Sequence, residues 1–245
     1  MRIIGLTGGI AAGKTMITDY LAGLGARIVD ADRISRRLTA PGSAVTLEIG
    51  EVFGARYLDE GQALRRGELA RLIFADEGSR LALNRLLHPA IDRETRRELG
   101  DLAAAGEKAA LLVAPLLFET GMDAWLDEVW VVALSERRQA ERLMVRDGLS
   151  LREAQGRLAA QSSLAEKLSK ADRVIDNNGS PAEAQRVAGQ FWREALERAA
   201  ARGAGAAGPE LGARQGAAPA AGTEATEPGA AGTAAQAPAA GGDCE

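Results

Sequence analysis

The chain has 245 residues, with 30 basic and 34 acidic side chains and a formal charge of −4. Its one cysteine, Cys244, sits next to the last residue, which excludes disulfide frameworks, multi-cysteine zinc sites and core thiol nucleophiles. No stretch approaches the roughly 18 apolar residues of a membrane span, and the apolar run in Met1–Gly8 is too short for a signal peptide. A soluble cytoplasmic protein with no membrane partner is expected.

From Ala201 to Glu245 the sequence is mostly alanine and glycine, with prolines at 209, 219, 228 and 238. Such a segment buries too little apolar surface to offset its ordering entropy, so residues 201–245 read as a disordered tail. Without the tail's two basic and five acidic residues, the remainder carries about −1. That near-neutral balance offers no footprint for duplex nucleic acid, and none is expected as a partner.

In chain order, Arg2–Thr7 reads as a buried strand and Thr15–Gly23 as a helix with Ile17, Tyr20, Leu21 and Leu24 on its apolar side. Further strands are predicted at Ala26–Val29, Ala109–Ala114, Glu128–Leu134 and Arg173–Ile175. Helical patterns separate them, at Glu68–Phe74, Arg80–Leu87, Ala90–Leu102, Glu136–Arg146, Leu151–Ala160 and Pro181–Arg198. Strands buried on both faces and separated by helices predict an α/β fold with a five-stranded parallel sheet. Two insertions exceed simple crossovers. Residues 33–108 suit a helical subdomain over an acceptor, and residues 136–171 a helical lid, both within one domain of residues 1–200.

Gly8-x-x-x-x-Gly13-Lys14-Thr15 follows a predicted strand and opens a predicted helix, which is the context of a phosphate-binding P-loop. Backbone N–H groups and the helix N-terminus face phosphate oxygens. Lys14 neutralises β/γ-phosphate charge, and the Thr15 hydroxyl is placed for Mg²⁺. The loop says that a nucleoside triphosphate binds, ATP at Gly9, Ile10, Ala11, Ala12, Gly13, Lys14, Thr15 and Met16. A GTPase is the rival: Ser169-Lys170-Ala171-Asp172 and Asp176-x-x-Gly179 look like guanine and magnesium motifs. Their order is reversed, and the first precedes its strand instead of following one.

Asp30 and Asp32 come after the second strand, where ligands of such sheets gather. One aspartate can cap the next helix while the other positions an acceptor hydroxyl and takes its proton. Capping or a magnesium-water contact goes to Asp30, and the acceptor hydroxyl to Asp32. In the lid, Arg142 and Arg146 are four apart and share a helix face, suited to stabilising transferring charge. Arg137 and Arg138 read as solvated surface.

Together these residues resemble the dephospho-CoA kinase family over residues 1–198. The likeness rests on Leu6-Thr7-Gly8-Gly9-Ile10, Gly13-Lys14-Thr15, Asp30-Ala31-Asp32, Pro41-Gly42, Leu87-His88-Pro89 and Pro115-Leu116-Leu117-Phe118-Glu119. It continues in Gln139-x-x-Arg142-Leu143-x-x-Arg146-Asp147, Gln161 and Val174-Ile175-Asp176-Asn177-Asn178-Gly179. The resemblance implies transfer of the ATP γ-phosphate to the 3′-hydroxyl of the dephospho-CoA ribose, with Mg²⁺. It implies Asp32, Lys14, Arg142 and Arg146 as catalytic residues, and Asn177 in the segment beside adenine. It also implies acceptor contacts at Asp32, Leu116, Leu117, Phe118 and Glu119. His88, the one histidine, would make at most an acceptor-site contact, because a His-Pro pair between two helices is more often structural. Where the family commonly has Gly-Ser, this chain has Ala11-Ala12, and Met16 replaces a frequent threonine. Alanine keeps the phosphate-binding N–H groups but adopts positive φ at a cost.

Overall fold

A computed structural model describes residues 1–203; residues 204–245, nearly all of the expected tail, lie outside the described residues. Five strands form one parallel sheet in the order β2-β3-β1-β4-β5. They are β1 (Arg2–Gly8), β2 (Arg27–Asp30), β3 (Ala109–Val113), β4 (Glu128–Ala133) and β5 (Arg173–Asp176). β1 lies centrally, with Leu6 opposite Val113 on one side and Trp130 on the other. The expected parallel α/β architecture is therefore the observed one.

The period of two along each strand divides the core between the faces of the sheet. Ile4, Leu6, Leu111, Val113, Trp130 and Val132 pack under α1 (Lys14–Gly23) and α9 (Pro181–Gly203), which contribute Ile17, Leu21, Ala188 and Trp192. On the other face, Ile3, Ala110, Leu112, Val129 and Val131 meet Ile34 of α2 (Ala31–Leu38) and Leu99 of α5 (Glu77–Ala104). α9 runs three residues into the segment that composition assigned to the tail. Its buried face ends at Ala195, so those residues extend a helix already anchored by Ala184, Ala188 and Trp192.

A separate core holds the helical insertion. Ile49 of α3 (Ala44–Phe53), Leu69 of α4 (Arg66–Ala75), Tyr57 and Leu83 form it. The two helices predicted on either side of His88-Pro89 are one helix of 28 residues, α5, with Pro89 inside it. The pair therefore does not lie between helices. Pro89 is exposed, as is Arg85, whose carbonyl loses its partner, so that oxygen can be hydrated. Leu83 packs in the insertion core and Leu99 against the sheet, and these contacts carry the helix across its proline.

The segment expected as a lid holds α6 (Glu136–Asp147), α7 (Leu151–Ala159) and α8 (Leu164–Ser169). Ser150 and Ser163 start the last two, each as a capping box with the glutamate three residues on. Ala140, Leu143 and Ala154 make a small core that includes Ile10 and Ala11 of the phosphate loop. Among the described residues, no helix is long and apolar enough to cross a membrane.

Candidate active site

The P-loop joins the end of β1 to α1, at the middle of the carboxyl edge of the sheet. Gly13 ends the loop at φ 99°, and α1 begins with neither a side-chain cap nor an acidic residue in its first turn. Its N–H groups are thus left for an anion. The Lys14 ammonium donates to the carbonyls of Gly8 (2.8 Å) and Gly9 (3.1 Å). Burial pushes this lysine down to about 8, with the Asp32 carboxylate opposing the shift and Lys167 and Arg146 adding to it. Ala11 takes φ 58°, so the position where the resemblance implies glycine does use the left-handed region. The lid contacts of Ala11 hold it there.

Asp30 caps α2: its Oδ1 accepts from the backbone N–H groups of Asp32 (2.8 Å) and Arg33 (3.1 Å). Asp32 stands in the first turn of that helix, with its carboxylate on the wall of a cavity of about 980 Å³. Burial raises its pKa, the Asp30 carboxylate adds to this, and Lys14 and Arg36 oppose it. One aspartate therefore holds backbone and the other faces the cavity.

Lys14, Thr15, Asp32, Leu116, Arg142 and Arg146 line that same cavity. Arg142 donates to the Ala11 carbonyl at 3.3 Å. Arg146 makes a two-point pair with Asp147 (2.7 and 3.0 Å), which also accepts from Arg157 at 2.8 Å. Arg137 pairs with Glu141 on the surface, and Arg138 donates to the Asn178 carbonyl. A carboxylate on one wall, a half-buried ammonium on the loop and two guanidinium groups from α6 can take a proton and neutralise a polyphosphate.

A family model for dephospho-CoA kinase matches residues 2–183. The dephospho-CoA kinase of Syntrophotalea carbinolica is 47% identical over 180 residues, 74% of this chain and 85% of that protein. This chain belongs to the dephospho-CoA kinase family. The dephospho-CoA kinase of Geobacter sulfurreducens is 42% identical over 192 residues, covering 78% of this chain and 98% of the relative. Among solved structures, TT1252 from Thermus thermophilus superposes with a TM-score of 0.69 at 32% identity, covering 79% of this chain and 97% of the other. A dephospho-CoA kinase from Campylobacter jejuni gives 0.61 at 27%, covering 81% and 99%. The protein is an ATP-dependent phosphotransferase with dephospho-CoA kinase activity, the last step of coenzyme A biosynthesis.

Several residues that the resemblance pointed to lie elsewhere. Leu117 and Phe118 are buried in the core under β1 and β3, so of that segment Pro115 and Leu116 line the cavity. Glu119 accepts from the Lys167 ammonium at 2.8 Å and from the Ser162 backbone at 3.2 Å. Burial works to raise the Glu119 carboxyl, and these hydrogen bonds outweigh it and leave it below its ordinary value. His88 is half-buried on α5 and does not line the cavity; burial lowers its pKa. Met16, on α1, packs against the core. Asn177 is buried beneath the loop, where its Nδ2 donates to the Ala12 carbonyl at 2.7 Å. A Cβ on Gly13 would collide with that Nδ2. Gly9 lies against Gln139 in a neighbouring small cavity, so these two contacts brace the loop from below. The Ser169–Asp172 fragment ends α8, and Asp172 accepts from the Val129 N–H at 2.6 Å; that is a structural role.

Other groups at the site carried no role in the sequence reading. Arg36 lines the cavity one helical turn after Asp32, a spacing that would have revealed it once α2 was recognised. Lys167 is buried beside Glu119, and Gln161 accepts at its Oε1 from the Ile10 N–H at 3.0 Å. Neither has a local signal, because their partners lie 48 and 151 residues away.

Proposed function

We propose that the cavity between the P-loop, α2 and the lid holds the ATP polyphosphate and the acceptor ribose, and that the γ-phosphate passes to the ribose 3′-hydroxyl of dephospho-CoA. The reading rests on one observation: Asp32, Lys14, Arg142 and Arg146 face a single cavity. Asp32 accepts the hydroxyl proton as that oxygen bonds to the γ-phosphorus. The bond from the γ-phosphorus to its bridging oxygen breaks, and ADP leaves. Lys14 and the loop N–H groups receive the charge on the β-phosphate side. Arg142 and Arg146 offset the charge on the transferring group as the lid closes over it. Leu116 contacts the acceptor, and the helical subdomain of residues 33–108 covers it.

Mg²⁺ binding to ATP uses few protein ligands, often one hydroxyl or carboxylate with water and phosphate oxygens. The exposed Thr15 hydroxyl and the nearby Asp32 carboxylate fit that need. No group of three or more His, Cys, Asp or Glu side chains forms a dedicated metal cage among the described residues. Thr15 would hold the ion, which would supply neutralisation of phosphate charge.

A coupled ADP-release assay tests the reading with dephospho-CoA against a panel of nucleotides and small alcohols. Turnover is expected with dephospho-CoA, giving product phosphorylated at the 3′-oxygen by NMR. Phosphate on another hydroxyl, or tight GTP binding without acceptor-dependent turnover, would overturn it.

A further inference from the structure

Gln161 reaches the phosphate loop from 151 residues away in sequence. It follows α7, and its backbone N–H donates to the Leu158 carbonyl at 3.1 Å. Leu158 packs in the lid core against Ile10 and Ala11. On the other side, the Ser162 N–H is tied to Glu119, whose partner Lys167 is 1% exposed. The residue is therefore held between two anchored neighbours. Its Oε1 accepts from the Ile10 N–H at 3.0 Å, and its side chain lines the cavity with Lys14, Arg142 and Arg146.

The two ends of this carboxamide are in different situations. The oxygen is engaged by the loop, while the NH₂ has no partner among the described residues. A carboxamide offers two donors there and an acceptor on the other side. Ile10 directly follows Gly8 and Gly9, whose carbonyls take the Lys14 ammonium. Gln161 thus meets the loop at the end where the P-loop lysine attends the β- and γ-phosphates.

We propose that Gln161 is a further catalytic residue of the transfer: its Nε2 donates to the γ-phosphoryl oxygens of ATP while its Oε1 remains on the Ile10 N–H. This rests on the proposed placement of ATP in the cavity. The oxygen contact fixes the rotamer, so the donor is in place before nucleotide arrives and little side-chain freedom is lost on binding. Because the residue belongs to the lid, the same contact links the lid to the nucleotide's terminal phosphate.

Gln161→Glu separates this role from a purely structural one. A carboxylate still accepts from the Ile10 N–H, so the latch survives, but the donor is replaced by negative charge. The expected result is a melting temperature within about 2 °C of wild type and kcat lower by about 10²-fold. ATP affinity should fall about tenfold more than ADP affinity, since only ATP has the γ-phosphate. A kcat within about threefold of wild type, or equal weakening of ATP and ADP, would overturn the assignment. If the glutamate variant melts well below wild type, Gln161→Met decides, having neither donor nor charge. Because methionine also lacks the acceptor for the Ile10 N–H, nucleotide discrimination decides: ATP affinity falling about tenfold more than ADP affinity supports the proposal, and equal weakening or unchanged turnover overturns it. Wild type and Lys14→Ala run alongside. If wild type fails to phosphorylate dephospho-CoA, or Lys14→Ala stays active, the placement of ATP falls; if both behave as expected and Gln161→Glu stays active, only the role of Gln161 falls.

Discussion

The phosphate loop and the lid line the same cavity but are held in opposite ways. The loop is braced by main-chain contacts from residues far away in sequence: Asn177 on the Ala12 carbonyl and Gln161 on the Ile10 N–H, 165 and 151 residues distant. Three lid arginines pair within the lid, Arg146 and Arg157 on Asp147 and Arg137 on Glu141, while Arg142 crosses to the Ala11 carbonyl of the loop. Those pairs are exposed on the arginine side, where water and salt compete with them. Long-range backbone contacts fix where phosphate sits, whereas local ion pairs leave cations able to change partner when a polyanion arrives.

Substitution at the two regions should separate these jobs. Lys14→Ala should lower transfer by about 10³-fold or more, since it removes a cation already positioned by two loop carbonyls. Arg142→Ala should cost less, about 10–10²-fold in kcat, because Arg146 remains on the same wall. Equal losses in steady-state ADP release would remove the distinction.

The next effect is one of pH. With Lys14 pushed down to about 8, the free protein loses this proton as pH rises through that value. ATP favours the ammonium, so its affinity should fall by up to about tenfold per pH unit above 8, with proton uptake on binding. Calorimetry in two buffers of different ionisation enthalpy reads that uptake; none at pH 8.5 would contradict it. The stability effect has the opposite sense. The unfolded chain keeps the proton up to about 10.5, so between 8 and 10.5 it binds more protons than the folded state, and this lysine's contribution to stability rises with pH.

The smallest effect belongs to Ala11. At φ 58° an alanine is strained, and Ala11→Gly should relieve roughly 1 kcal/mol, raising the melting temperature by about 2–4 °C. No change, or a lower melting temperature, would mean that the alanine's lid contacts outweigh the strain.

Which parts were legible in sequence follows the same divide. β1, the loop and α1 are consecutive, and period-two and period-3.6 patterns run through them, so the P-loop was readable with its context. Asp30 and Asp32 were separable because a cap is a local device. The helix they open was expected from the cap but given no bounds, since its arginines mask its apolar side, Ala31 and Ile34. Pro89 suggested a break in α5 because local propensity argues for one, while contacts to two different cores override it. Leu117 and Phe118 went to the core because the chain turns directly after β3, a direction no spacing rule contains. The buried place of Asn177 and the contact of Gln161 exist only once the sheet has brought distant segments together.

The measurement that bears most directly on the shared cavity is Asp32→Asn, with ATP affinity and dephospho-CoA-dependent ADP release measured on the same preparation. The carboxamide keeps the size of the side chain but takes no proton. The expected result is ATP affinity within about threefold of wild type and kcat reduced by about 10²–10⁴-fold. Retained turnover, or ATP affinity falling in step with it, would contradict the assignment of Asp32 to the acceptor side.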